Sequence, residues 1–287
     1  MITPTPIALE QKNMVPILAG GGTRLPAHVG VLKALDELDI KIEHLVGVSG
    51  GSIVASLWAA GWDIEHMKQL SVDIDFTRFR EFKLGQLLFH GGLSSGDVFE
   101  NWMDEQLRSI TFRELEKELH IVATDVKSGS PVIFNRNTTP DFKVSKAVRF
   151  SMGIPLLFAF KKYKDHLMVD GSILAEDSLR RDWAGDGTPA CCFRLKANKP
   201  IKNQKHVSRF FPLADYMQML IKTFMSTISR EFINDAFWNT TIVINTDDIS
   251  PVEFNLSIEK KLLLHDRGYQ TTLDVLPIKL SKQNTKS

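Results

Sequence analysis

The chain has 287 residues, 43% of them hydrophobic and 24% charged, ordinary values for a globular protein with room for a full core. A formal net charge of +1 provides no global field for steering nucleic acid or anionic lipid, so no nucleic-acid partner is expected. The adjacent pair Cys191-Cys192 excludes a disulfide framework, has no metal-ligand spacing and suits a reducing, cytoplasmic compartment.

Residues 1–13 carry two prolines and no apolar periodicity, and read as a flexible leader. No basic stretch precedes an apolar one, so no signal peptide is read, and no apolar run reaches membrane-spanning length. Val15–Ala19 reads as a short buried strand, with Pro16 near its start where a missing N–H is tolerated. It ends in Gly20-Gly21-Gly22-Thr23-Arg24. Pro26 to Leu38 follows as a helix: Pro26 suits the first turn, and Val31, Leu32, Leu35 and Leu38 recur at helical spacing. A second apolar strand, Leu45–Val48, runs into Ser49-Gly50-Gly51, and Ile53–Ala60 continues as a helix. One strand–helix unit leading into another is the signature of a parallel sheet with flanking helices.

Further on, Asp63 is placed to cap a short helix through Leu70. Residues 72–93 interleave Phe76, Phe79, Phe82 and Phe89 with Arg78, Arg80 and Lys83; an aromatic packing face is favoured over a mobile flap. Ser94 or Ser95 is expected to cap a helix through Leu107. His120–Val126 and Pro131–Phe134 form an expected hairpin about Lys127–Ser130. Asp141–Phe150 reads as a helix entering Ser151-Met152-Gly153-Ile154-Pro155, and Leu167–Val169 as a strand ending in Asp170-Gly171-Ser172. A polar loop over 180–190 precedes a strand over 190–195. Leu213–Phe237 has helical apolar spacing, Thr241–Ile244 is a late strand and Ile258–Leu276 a final helix. No repeat or linker divides the chain, so one domain over 14–278 and a polar tail over 279–287 are expected.

Two glycine-rich stretches carry the chemistry. Gly47-Val48-Ser49-Gly50-Gly51 has the Gly-x-Ser-x-Gly spacing of a nucleophile elbow, where Gly47 and Gly51 leave room for a serine on a tight strand-to-helix turn. The bland alternative is a Gly-rich turn in any α/β protein. Gly20-Gly21-Gly22 lacks the Gly-Lys-Ser/Thr ending of a phosphate loop, and Leu25 breaks the dinucleotide fingerprint. An oxyanion hole, whose bare N–H groups approach a charged carbonyl oxygen, fits its place one unit before the elbow best.

The ordered set Gly20-Gly21-Gly22-Thr23-Arg24, Ala27-His28-Val29-Gly30-Val31-Leu32, Gly47–Gly51, Ser151-Met152-Gly153-Ile154-Pro155 and Asp170-Gly171 resembles the patatin-like phospholipases, bacterial-type lipid acyl hydrolases also found in plants and animals. The resemblance covers residues 14–180 strongly and fades towards 278. It implies an α/β fold in three α/β/α layers around a mostly parallel central sheet. It also implies a Ser–Asp dyad, with Ser49 as nucleophile, Asp170 as base and Gly20, Gly21, Gly22 and Arg24 at the oxyanion. The expected reaction is phospholipase A or lysophospholipase hydrolysis of a membrane lipid. Position 172 departs from the pattern, being Ser rather than Gly or Ala, and Leu25-Pro26 stand where glycines are usual.

Two rivals are weighed. A Ser–Asp–His triad needs the chain order Ser49, Asp170, His265, but His265 sits inside an apparent helix. A catalytically silent lipid-binding module would not need Ser49 and Asp170 together. His28 reads as a structural histidine. No cofactor or metal is expected: the eight histidines show no ligand spacing, and Asp73-x-Asp75 is too sparse for a calcium loop. The Met- and Phe-rich stripe of 213–237 reads as core, with a peripheral membrane contact as its second reading.

Overall fold

Apolar residues alternate sides along the first two strands, and this sets the layers. The structure, a computed structural model, describes residues 13–79, 91–174, 181–197 and 240–284, with positions 216, 219, 220 and 223. In β1 (Val15–Ala19), Val15, Ile17 and Ala19 enter one core while Leu18 enters the other. β2 (His44–Val48) repeats the split, with Val46 and Val48 opposed to Leu45. Strands buried on both faces belong inside a layered fold.

Among the described residues, the main sheet has eight strands. Five run parallel as neighbours in the order β10 (Thr241–Asn245), β9 (Ala190–Lys196), β1, β2 and β4 (Glu118–Asp125). The expected hairpin is present: β5 (Ser130–Phe134) pairs antiparallel with β4. β7 (Lys161–Tyr163) and β8 (His166–Val169) form a second antiparallel pair. β3 (Gly92–Ser94) and β6 (Leu156–Phe158) make a separate two-stranded parallel sheet. Three of these strands, β3, β6 and β7, are three residues long, too short for an alternation pattern to announce them.

β4 brings distant parts of the chain together. β5 pairs with Ile121–Asp125 along one edge. The other edge pairs with β2 up to Val122 and then with β8 at Thr124 and Asp125. β2 runs up that edge and β8 runs down it, so their ends meet head to head. Ser49 follows β2 and Asp170 follows β8.

Among the described residues, the α-helices with assigned bounds are α1 (Pro26–Glu37), α2 (Gly50–Ala59), α3 (Ile64–Asp73), α4 (Asp97–Gln106), α5 (Val144–Ser151) and α6 (Ile258–Asn284). All contribute to one core with Leu18, Leu45 and Phe193. On the opposite face, Val46, Val48, Val122 and Cys192 pack with Trp183. α1 lies along α6 at close range: a Cβ on Gly30 would overlap the His265 carbonyl, and one on Gly268 the Ala27 carbonyl.

Several expected boundaries shift. Gly96 caps α4 rather than Ser94 or Ser95, because the Arg149 guanidinium fills the space a side chain would take. The two serines accept from the N–H groups of Gly96 and Asp97 instead. α5 starts at Val144, not Asp141. α6 continues through Pro277 to Asn284 with Leu280 buried, so the expected polar tail is helical to that point. Asp63 caps α3 as expected, accepting from the His66 N–H at 2.9 Å. Phe76 and Phe79 are buried against Phe99 and Trp102, the packing reading of that stretch. Phe82 and Phe89, the leader up to residue 12 and nearly all of 213–237 lie outside the described residues, while Asn13 bridges to Lys41. Among the described residues, no helix is long and apolar enough to cross a membrane.

Candidate active site

Ser49 stands between the end of β2 and the start of α2 with φ 52° and ψ −129°. A non-glycine residue there is strained, and only over-determination by the surroundings holds it. Three contacts do so. The Ser49 N–H donates to Ser151 Oγ at 2.8 Å, and that hydroxyl donates to the Val122 carbonyl at 2.6 Å. Ser52 Oγ donates to the Ser49 carbonyl at 2.6 Å. Ser151 thus bridges the gap where β2 and β8 meet on the edge of β4. A Cβ on Gly51 would overlap the Leu18 carbonyl, and one on Gly47 would lie 2.6 Å from Ser52 Cα, so the elbow tolerates neither.

Ser49 Oγ donates to Asp170 Oδ2 at 2.7 Å, across 121 residues of sequence. Both residues are fully buried. The second carboxylate oxygen, Oδ1, accepts the Ser172 N–H at 2.8 Å, and the Asp170 N–H donates to the Gly153 carbonyl at 3.0 Å. Burial pushes the Asp170 carboxyl up to about 6, against the opposing pull of its hydrogen bonds from Ser49 and Ser172. A carboxylate near that value is ionised at neutral pH and basic enough to take a proton from an attacking hydroxyl. Gly171 fits because a Cβ there would overlap the Val122 carbonyl.

Gly20, Gly21 and Gly22 all have positive φ, 70°, 113° and 55°. Their N–H groups are not equivalent. The Gly20 N–H donates to the Val48 carbonyl at 3.0 Å, which removes it from the expected set of oxyanion donors. The N–H groups of Gly21 and Gly22 have no backbone partner among the described residues. Gly50, the residue after Ser49, packs on this loop: a Cβ on it would lie 2.5 Å from the Gly22 nitrogen. Its N–H, at the first position of α2, is unused within the helix. The elbow motif itself points to the residue after the serine as a donor.

Arg24 also departs from its expected place. It is fully buried, and its Nη1 donates to Thr246 Oγ1 at 2.8 Å while Nε donates to the Gly21 carbonyl at 3.2 Å. Longer contacts at 3.5 Å reach the carbonyls of Leu195 and Ile249. The guanidinium is committed to the loop backbone and the ends of β9 and β10, so it braces the loop and does not face an oxyanion. Burial lowers it to about 10, leaving it charged. His28 braces the other side. Burial lowers it to about 4, so the ring is neutral, and Nε2 faces the Gly20 carbonyl at 3.1 Å as a donor.

His265 lies on α6 against α1, with Nδ1 on Asp266 at 3.2 Å. Ser49 and Ser172 occupy the carboxylate oxygens of Asp170, so the Ser–Asp–His arrangement is not formed. Among the described residues, no three His, Cys, Asp or Glu side chains stand together as a metal site. Met152 Sδ lies 3.8 Å from Ser49 Oγ. It lines a narrow apolar cavity with Gly22, Phe76, Phe99, Leu157 and Phe158.

The comparisons bear on the family and the fold. The chain is 24% identical to the uncharacterized protein YqhO of Bacillus subtilis over 89% of its own length and 95% of that protein. It is 29% identical to an uncharacterized protein of Acanthamoeba polyphaga mimivirus, over 94% of this chain and 95% of that one. A protein of Invertebrate iridescent virus 6 described as a "probable lipid hydrolase" is 27% identical over 55% of this chain and 59% of its own. Among solved structures, VipD from Legionella pneumophila superimposes with a TM-score of 0.67 at 17% identity, over 94% of this chain and 67% of that one. The type III effector ExoU gives 0.55 at 19% identity, with this chain spanning 53% of its length. These likenesses show the three-layer α/β fold with its mostly parallel central sheet. The Patatin family model, described as patatin-like phospholipase, matches residues 17–179, from β1 past Asp170. The chain belongs to the patatin-like phospholipase family.

Proposed function

We propose that the chain is a serine esterase of the phospholipase A or lysophospholipase type, working through Ser49 and Asp170 in one catalytic domain that runs from residue 14 through α6. The observation that carries this reading is the 2.7 Å hydrogen bond from a strained, buried serine to a buried carboxylate held near 6. Ser49 Oγ attacks the ester carbonyl carbon as its proton passes to Asp170. The carbonyl oxygen takes the negative charge and is met by the N–H groups of Gly21, Gly22 and Gly50, at the N-terminus of α2. The alcohol leaves with the proton from Asp170. Water then attacks the acyl carbon, gives its proton to Asp170, and Ser49 recovers that proton as the fatty acid departs. The apolar cavity beside Met152 has room for about one water as it stands, so it takes an acyl chain only as its lining side chains move apart.

No step in this scheme needs a cation, so turnover is calcium-independent and persists in EDTA. Loss in EDTA with recovery in calcium contradicts that part. The test of the whole is lipid turnover by the parent chain, Ser49→Ala and Asp170→Asn on phospholipid and lysophospholipid. The parent releases fatty acid and both variants lose it. Equal release by Ser49→Ala overturns the reading, and no release by the folded parent favours the silent module.

A further inference from the structure

The hairpin of β7 and β8 has one buried and one exposed face. Tyr163 packs on Phe134, Phe142 and Phe150, and Lys161 pairs with Asp97 on α4 at 2.5 Å. Side chains alternate along a strand, so Lys162 takes the other face; Phe160 stands just before the strand, and Lys164 stands in the turn after it (φ 52°) with its ammonium 5.3 Å from the Tyr163 ring centroid. Phe160, Lys162 and Lys164 are exposed, Phe160 by 41%. Lys162 pairs with the half-buried Leu167, and the Leu167 carbonyl accepts the Val126 N–H at 3.0 Å. Directly opposed residues face the same way, which puts Val126, 53% exposed, in one row with Leu167 and Lys162. Lys127 borders the row, its Nζ on the Asp165 carbonyl at 2.9 Å. Among the described residues, the carboxylates nearby are Asp97, paired with Lys161; Asp165; and Asp125, which is buried on His166 and Ser128.

This patch stands at the catalytic end of the sheet. Ser49 follows the level of Val122, and β4 runs three residues further to Asp125, ~10 Å at strand rise. β8 lies directly beyond Ser49 on the same edge of β4. Two residues before Phe160, Phe158 turns inward to line the cavity with Met152.

We propose that Phe160, Val126 and Leu167, ringed by Lys127, Lys162 and Lys164, form a docking surface for an anionic phospholipid bilayer. The proposal rests on the lipid substrate inferred above and names where the bilayer is met. Apolar tips reach the acyl boundary while the ammonium groups meet headgroup charge, and an acyl chain passes from Phe160 towards Phe158 and the cavity. The near-neutral net charge of the chain hides this local excess of lysine.

The test is co-sedimentation with vesicles of ether-linked lipids, which no esterase cleaves, so binding is read whether or not Ser49 is a nucleophile. Two compositions are used: phosphatidylcholine alone, and phosphatidylcholine with an equal amount of phosphatidylserine. The parent chain binds the anionic vesicles at least about tenfold more tightly, and added salt weakens the binding. Lys127→Glu/Lys162→Glu/Lys164→Glu removes the preference, and Val126→Ser/Phe160→Ser lowers binding several-fold on both compositions. Thermal melting equal to the parent's shows that the variants fold, and single Lys162→Glu, on an exposed strand face, serves where the triple variant does not. A parent chain indifferent to phosphatidylserine overturns the proposal, as does undiminished binding by the folded charge-reversed chain. Binding without fluorophosphonate labelling of Ser49 retains the docking surface and removes the esterase reading.

Discussion

Asp170 sets the pH behaviour. Only its ionised form accepts a proton, so kcat/KM rises with pH through an apparent value of about 6 and levels off above it. A pH–rate profile on a soluble ester checks this. Asp170→Asn keeps the shape, loses the base, and lowers kcat by roughly 10²–10⁴-fold. Stability moves the other way. The folded carboxyl holds its proton more tightly than the unfolded one, raised from 3.8 to about 6. The stability it contributes is complete below 3.8 and is lost as pH rises through about 6. Asp170→Asn removes that dependence, so its melting temperature relative to the parent is higher at pH 8 than at pH 4; melts at the two pH values measure it. Ser49 and Asp170 were legible in the sequence because the elbow and the Asp-Gly turn are short motifs. Ser151 was visible only as part of a motif, since its work is to join the Ser49 N–H to the Val122 carbonyl across the fold.

At the scale of elements, loop, elbow and helix ends are fitted to one another. Gly50→Ala improves the helix propensity of α2 yet drives a Cβ to 2.5 Å from the Gly22 nitrogen. The expected result is a fall in kcat of about 10²-fold or more with little change in KM, read from steady-state kinetics. Lys261, buried on α6, donates to the carbonyls of Val72 at 2.7 Å and Ile74 at 2.6 Å, tying the end of α3 to α6. Lys261→Met keeps most of the volume but leaves two carbonyls unpaired, at a cost of about 1–3 kcal/mol in denaturant unfolding. Strands with alternating or continuous apolar residues, such as β1, β2 and β4, were readable from sequence, as was the cap at Asp63. The cap at Gly96 was not, because it depends on Arg149 from a distant helix. The Gly20 N–H was misassigned for a similar reason: its pairing with Val48 follows from the register of β1 on β2.

For the whole molecule, the family and layer order were legible because several weak motifs stood in one sequence order. The head-to-head meeting of β2 and β8 was not, since it depends on β4 outrunning its neighbour. That meeting sets Ser49 Oγ on Asp170, the pair the proposed mechanism uses, while His265 lies on α6 against α1. The central claim is that this junction activates Ser49. Its most direct test is reaction of the folded chain with a fluorophosphonate, followed by peptide mass analysis. The account predicts a single adduct on Ser49, absent in Ser49→Ala and strongly slowed in Asp170→Asn. An adduct on another residue, or equal labelling of Asp170→Asn, would contradict it.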